Sequence, residues 1–351
     1  MTTRRAFLAG LAAATLPRVA WAEVGSPAYL AAGKAGAEFL LHGLTAQGES
    51  LFRIGLPARG HAAAAHPTQA LAVAFARRPG VFALVIDCAT GTTRYHLTPP
   101  EGHQFNGHGA FSSDGALLMT SEVVAEGSAG RIGLWETRGF TRIGEWDSHG
   151  IGPHEIKLMP DGNLIIANGG IQTDPGDRTK LNLPTMHPNL TLLSSTGRML
   201  DQADLPDLLQ NSIRHLALTA TGVAFAMQWQ GDPAVAVPLL GLWTPGQKVQ
   251  LCPPAEAEAL TMQGYAGSIA VDRGTGSIAM TSAPGGALML FDADGAPQAT
   301  LHRADISGVA ACSAGFIATD GQGAIWSVAD GAMALLTQND TLWDNHLVAL
   351  S

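Results

Sequence analysis

The stretch Asn106-Gly107-His108-Gly109-Ala110-Phe111-Ser112-Ser113-Asp114-Gly115, followed by Ala116-Leu117-Leu118-Met119-Thr120, reads as strand, tight turn and strand. Asp bonds the backbone just beyond it and Gly tolerates positive φ, so Ser-Asp-Gly joins the two apolar runs by a turn. A histidine stands early in the first strand. The phrase returns as Gly152-Pro153-His154-Glu155-Ile156-Lys157-Leu158-Met159-Pro160-Asp161-Gly162 before Asn163-Leu164-Ile165-Ile166-Ala167-Asn168. It returns again as Ile213-Arg214-His215-Leu216-Ala217-Leu218-Thr219-Ala220-Thr221-Gly222 before Val223-Ala224-Phe225-Ala226-Met227. A repeat of this kind decides the fold before any single residue does.

Working outward, seven first strands align: residues 61–66, 108–113, 154–160, 215–220, 268–273, 308–313 and 346–350. Their spacing of roughly 40 to 60 residues is that of four-stranded propeller blades. Short β-like runs between Gly, Pro, Asp and Thr clusters fill the intervals, among them 38–41, 50–54, 71–76, 82–87 and 93–97. The last unit stops after one strand. Runs 27–33, 37–44 and 50–56 supply the three strands it lacks. The chain is therefore expected to be all-β, a seven-bladed β-propeller whose last blade joins the C-terminal strand to the N-terminal strands. Such closure removes the exposed sheet edges that invite aggregation.

The amino end carries a different signal. Arg4-Arg5 precedes the apolar run 7–16, and Ala20-Trp21-Ala22 is a small-x-small cleavage pattern. A charged start, a short apolar middle and small residues at the end make a twin-arginine export signal over residues 1–22. The run is too short to span a bilayer, which takes about 20 residues. The expected arrangement is a signal at 1–22, one propeller domain over 23–351, and a periplasmic destination. Net charge is −9 with no basic cluster after the signal, so nucleic acid is not expected as a partner. No later stretch has the length and apolarity of a membrane span. Cys88, Cys252 and Cys312 are an odd number, far apart and without a CxxC, and read as small buried hydrophobes.

First strands of propeller blades line the central channel, so equivalent positions converge on one axis. His61, His108, His215 and His346 occupy such positions. His154 falls one residue out of step, so either it or Glu155 faces the channel, because a one-residue slip turns a side chain to the other face. Imidazole is the commonest ligand for zinc, copper, iron and nickel. The expected metal ligands are His108, His154, Glu155 and His215, with His61 and His346 beside them, and the ion expected is iron or copper. His108, His154 and His215, from three neighbouring blades, form the expected trio. The competing reading is that each histidine bonds the next blade's backbone as a packing device. Arg214, able to hold a carboxylate or phosphate in a bidentate grip, is a candidate ligand-binding residue with Glu122 and Asn168. His103 and His149 fall in loops near the same rim, and His42, His66, His96 and His302 read as turn or surface residues. Two insertions stand out: the polar, Gly- and Pro-rich segment 169–188 and the shorter 228–240. No GxSxG, HExxH or phosphate-loop motif is present, and no catalytic residue is assigned.

The chain resembles a family of bacterial exported propellers of unknown function. The resemblance rests on Gly107-His108-Gly109-Ala110-Phe111-Ser112, Ile132-Gly133-Leu134-Trp135 and Ser148-His149-Gly150-Ile151-Gly152-Pro153-His154-Glu155. It continues through Ala167-Asn168-Gly169-Gly170-Ile171, Leu181-Asn182-Leu183-Pro184-Thr185-Met186 and Ser212-Ile213-Arg214-His215-Leu216-Ala217. Genes of that family often stand beside imelysin-type iron-uptake proteins and di-haem peroxidase-like proteins. The resemblance implies iron-linked periplasmic work, with an imelysin-type protein as partner, and implies no reaction. Three functional classes remain: a metal-handling binding or scaffold protein, a lactonase-like propeller hydrolase holding a cation through Glu122, Glu155 and Asn168, and a pure protein-interaction platform.

Overall fold

The structure, a computed structural model, describes residues 19–350 apart from 78, 79, 81 and 206. The twin-arginine phrase and the apolar run after it lie outside the described residues. Of the expected signal, residues 19–22 are described, and Trp21 donates its indole N–H to the His66 carbonyl at 2.8 Å.

Seven four-stranded antiparallel sheets make up the fold. We number them as blades by their innermost strands. These are Gly60–Ala65 in blade 1, His103–Phe111 in blade 2, Pro153–Leu158 in blade 3 and Asn211–Leu218 in blade 4. Ser268–Val271, Ile306–Cys312 and Thr341–Ala349 follow in blades 5, 6 and 7. Each inner strand packs on the next, and that of blade 7 packs on that of blade 1, so the ring closes. Burial follows the radius. The second strand of blade 1, Leu71–Ala76, is buried throughout, and the outer strand of blade 4's neighbour, Met199–Asp204 in blade 3, faces solvent at most positions.

Closure is of the one-plus-three kind. Thr341–Ala349 pairs with Tyr29–Ala35, which pairs with Glu38–Leu44, which pairs with Ser50–Leu56. Tyr29, Leu44, Trp343 and Leu347 from the two ends of the chain meet Ile317 and Ile325 of blade 6 in one buried cluster. The turn chemistry also works as read: Asp114 accepts from Ala116 N–H at 2.9 Å, and Gly115 has φ +70°. A short helix, Glu256–Thr261, between blades 4 and 5 was not anticipated from the repeat.

Several readings need correction. His103 begins the inner strand of blade 2, and His149 lies in that blade's long outer strand, Thr141–Ile151, so neither is a loop residue. His42 and His66 are buried, at 0% and 2% exposure. His42 packs edge-on against Trp343, and His66 Nδ1 accepts the Thr68 and Gln69 N–H groups. Both are interior because a blade's second strand and the turn beneath a neighbouring blade are covered from both sides. All three cysteines are free thiols, and burial pushes Cys88 up to about 12.

Trp343→Ala removes the largest side chain holding the two ends together. It is expected to cost about 3–5 kcal/mol, read as a lower urea midpoint, and removal of residues 341–351 is expected to abolish cooperative unfolding altogether.

Candidate metal centre on the propeller axis

Regular pairing is broken in the inner strands at one level of the axis. In blade 1 the register jumps between Gly60 and Ala63, in blade 2 between Phe105 and Gly109, and in blade 3 between Pro153 and Ile156. In blade 4 it jumps between Ile213 and His215, and in blade 7 His346 lies in the bulge opposite Ala31 and Gly33. A bulge inserts unpaired residues and re-aims their side chains. Every histidine of the repeat sits in such a bulge or directly after it. This resolves the choice between His154 and Glu155: both turn inward, because strict alternation is suspended there.

The five imidazoles make one contiguous layer. His108 is its centre, with ring centroids 4.9 Å from His61, 4.6 Å from His154, 5.9 Å from His215 and 4.9 Å from His346. His154 and His215 are 4.8 Å apart, and His215 and His346 4.9 Å. Gly107 makes room for it. Its φ is +95°, and a Cβ there would stand 2.5 Å from the His61 ring. Blades 5 and 6 offer Ser268 and Ser307-Gly308 at this level, so the layer is displaced toward the other five blades.

Two sets of three could hold a metal ion: His61, His108 and His154, and His108, His215 and His346. In each, ligand atoms lie within 4.8 Å of one another. The trio expected from neighbouring blades, His108, His154 and His215, is not one of the sets found among the described residues. His108 belongs to both. A closed tetrahedral site with metal–nitrogen bonds of about 2.0–2.1 Å has its nitrogens about 3.3 Å apart, so small rotations of these rings would close either set.

Their surroundings suit ligation. His154 Nδ1 lies 3.1 Å from the Arg214 carbonyl of the next blade. A proton on that nitrogen leaves Nε2 as the lone-pair face. This contact is also the interblade packing bond of the competing reading, and it uses only one of the two ring nitrogens. His108 Nε2 and His346 Nε2 are buried without a hydrogen-bond partner, as an open pair of ligand atoms would be. Glu155 accepts the Leu216 N–H at 3.0 Å, pairs with Lys157 at 2.6 Å, and stands 3.4 Å from His215 Nδ1. That last distance is long for a hydrogen bond, so the contact is chiefly electrostatic. It is the carboxylate–histidine arrangement that orients metal ligands.

Burial sets the protonation. Desolvation, reinforced by the neighbouring imidazoles, holds His108 and His154 well below their ordinary value, and holds His346 down to about 3. Burial alone would raise Glu155, but Lys157, His215 and His108 together hold it well below the carboxylate range. His108, His154 and His346 are neutral imidazoles at neutral pH, and the carboxylate beside them is ionised.

The other candidates go elsewhere. Glu122 is fully buried inside blade 2, bound to Arg142 Nη1 and Thr120 Oγ1, each at 2.7 Å. Asn168 donates to the Ser148 carbonyl and Asn189 Oδ1, each at 2.8 Å, and braces the crossing from blade 2 to blade 3. Neither reaches the histidines, so the oxygen-rich cation site of a lactonase-like hydrolase is not assembled from them. Arg214 is buried beside the layer, and its Nε has no hydrogen-bond partner.

The histidine layer divides the channel. Beyond it, where inner strands end, lies a cavity of about 570 Å³ lined by Ala62–Ala65, Ile156, Leu216, Val309 and Leu347 among others. On the side where inner strands begin lies a polar chamber of about 230 Å³, with His61, His154 and His215 in its wall. Segment 169–188 forms part of that chamber through Ile171, Thr173, Arg178 and Lys180. It is strapped to blade 2 by Gln104 Nε2 on the Pro175 carbonyl and to blade 4 by Gln210 Nε2 on the Leu183 carbonyl. The sequence reading missed Arg77, Tyr265, Asp344 and Asn345 as chamber residues. A signal existed for Asn345, which precedes His346 as Arg214 precedes His215.

Fold and site together define a seven-bladed propeller with an axial cluster of imidazoles. Residues 54–350 match the family described as DUF1513, protein of unknown function, and the chain belongs to that family. No curated protein matches it. Among solved structures it is similar to the Kuenenia stuttgartiensis hydrazine synthase, with a TM-score of 0.60 and 11% identity over 86% of this chain and 89% of that one. That likeness is one of fold.

The protonation state predicts a pH dependence. An unfolded histidine takes its proton near 6.5, whereas His108, His154 and His346 in the fold refuse it until lower pH. Below 6.5 the unfolded chain binds more protons, so stability falls as pH falls, by up to about 1.4 kcal/mol per pH unit for each such histidine. Glu155 adds a loss in the same direction below its unfolded value. Urea titrations of metal-free protein between pH 7 and 5 are expected to show this slope, and His346→Asn is expected to make it shallower.

Proposed function

We propose that this protein is a periplasmic metal-handling propeller that holds iron or copper in its axial histidine layer. We propose further that it serves an uptake system with an imelysin-type protein as partner. One observation carries the metal reading: His108 stands in ring contact with four other imidazoles drawn from four other blades. A single buried histidine is ordinary structure. Five converging rings, two of them with unpartnered Nε2 atoms, have no packing purpose that aromatic or aliphatic side chains would not serve better, since a buried unpaired polar atom costs stability. Nitrogen ligands favour copper, iron, nickel or zinc over calcium and magnesium, which take oxygen. The periplasmic part is supported by the twin-arginine phrase at Arg4-Arg5, and the iron link by the resemblance to propellers encoded beside imelysin-type genes. Among the described residues, no helix is long and apolar enough to cross a membrane.

Elemental analysis of the purified protein, followed by calorimetric titration of Cu(II), Fe(II), Ni(II) and Zn(II) into chelator-stripped protein, tests the metal reading. Tight binding of one ion per chain is expected. His108→Ala is expected to abolish it because both trios lose a member. Glu155→Gln is expected to weaken it by about 10–100-fold, as loss of an orienting carboxylate does. His61→Ala and His346→Ala tell the trios apart, since each removes a ligand from only one. Affinity is expected to hold through about pH 6 and to fall only at lower pH, because burial keeps protons off His108, His154 and His346. Unchanged affinity in His108→Ala, with the fold retained by circular dichroism, refutes the site.

A further inference from the structure

The chamber above the histidine layer has a composition of its own. Arg77, Arg178, Lys180 and Arg214 line it, with Tyr265, Asn345 and Gln228. Asp344 is the carboxylate in this lining, and it is engaged by Arg59 Nε at 2.6 Å. Lys180 reaches Gln230. Among the described residues, the guanidiniums of Arg77, Arg178 and Arg214 have no ion-pair partner, in a chain whose net charge is −9. Arg214 is 6% exposed, and its Nε makes no hydrogen bond.

A buried guanidinium without a carboxylate is costly, because desolvation is not offset by pairing. Its neighbours add to the cost. Burial first, then Arg77 and Arg59, press Arg178 below its ordinary value, and burial presses Arg214 down to about 10, with Arg178 contributing. Like charges gathered around one concave space, with no counter-charge of their own, are what an anion-binding site looks like before its anion arrives. Guanidinium forks match planar carboxylates and phosphate oxygens in a bidentate grip. Tyr265, whose hydroxyl accepts from Asn345 Nδ2 at 2.7 Å, adds a further polar group at the wall. The volume, about 230 Å³, is below the 300 Å³ or so at which sites for drug-sized ligands begin. A compact ligand fits.

We infer that this chamber is a binding site for a small multivalent oxyanion, carboxylate or phosphate in class, gripped by Arg77, Arg178 and Arg214 and seated against His61, His154 and His215. The inference does not rest on the metal reading, because the positive charges are the chain's own. If both hold, the anion lies over the imidazole layer, where a ligand that also coordinates a cation would touch both.

Chelator-stripped full-length protein is titrated with citrate and, separately, with inorganic phosphate, by calorimetry and thermal shift, at low and at raised sodium chloride. Saturable binding of one or both is expected, weakening as salt rises, and the stronger arm identifies carboxylate or phosphate as the ligand class. Arg77→Gln with Arg178→Gln is expected to lower the affinity by about tenfold or more, since each removes a charged hydrogen bond. Both residues are outside the core, so the melting temperature without anion is expected to hold. Lys248→Gln, in the exposed outer turn that follows Leu240–Trp243 on the side of blade 4 away from the chamber, is expected to change nothing. No binding of either anion, or a double variant that loses less than tenfold, overturns the inference. Because stripped protein is used, a failed metal titration leaves this result readable by itself.

Discussion

Tyr29–Ala35 lies between Thr341–Ala349 on one side and Glu38–Leu44 on the other, and that pairing joins the two ends of the chain into one blade. Everything on the axis depends on it. A propeller with an open seventh blade would leave unpaired strand edges and let neighbouring blades splay. It would also lose its fifth imidazole, because His346 is carried by the closing strand itself. The apolar cluster around Tyr29, Leu44, Trp343 and Leu347 therefore does two things: it seals the ring and sets the position of a site residue.

Inside the ring, space is the governing constraint. Seven inner strands converge, and each contributes side chains to the same narrow core. The bulges at this level break the period-two rule in a coordinated way, so that histidines arrive at one height. Gly107 and the small residues of blades 5 and 6 yield the room the rings take. Local rules of strand pairing are sacrificed at this layer, and the surrounding blades, regular and apolar, offset the cost. Such a conflict between local preference and global fold is characteristic of functional positions.

Charge is distributed with the same economy. Burial and mutual repulsion keep protons away from His108, His154 and His346. Glu155 on one side is anionic and tied to Lys157, and the arginines on the chamber side are cationic. Glu122 and Arg142 form a contrasting case. Buried Glu122 and half-buried Arg142 pair with one another within a blade, away from the axis, and so present no charge to the channel.

By itself, the sequence determined the blade count, the closure and the identity of the axial histidines. Those follow from turn chemistry at Asp114-Gly115 and Asp161-Gly162, and from a repeat that can be aligned without knowing any distance. Local periodicity was enough because blades are nearly independent units stacked around an axis. Only the tertiary structure decided that His154 and Glu155 both point inward, since a bulge is fixed by the partner strand and not by the residues it displaces. Only it sorted Glu122 and Asn168, which lie in second strands behind the axis, from Arg214, which faces it. Only it gathered Arg77, Arg178 and Arg214 into one chamber. They come from a strand end, an insertion and a bulge, whose positions in the repeat differ, so no alignment of the blades brings them together. Their proximity is a property of the closed ring.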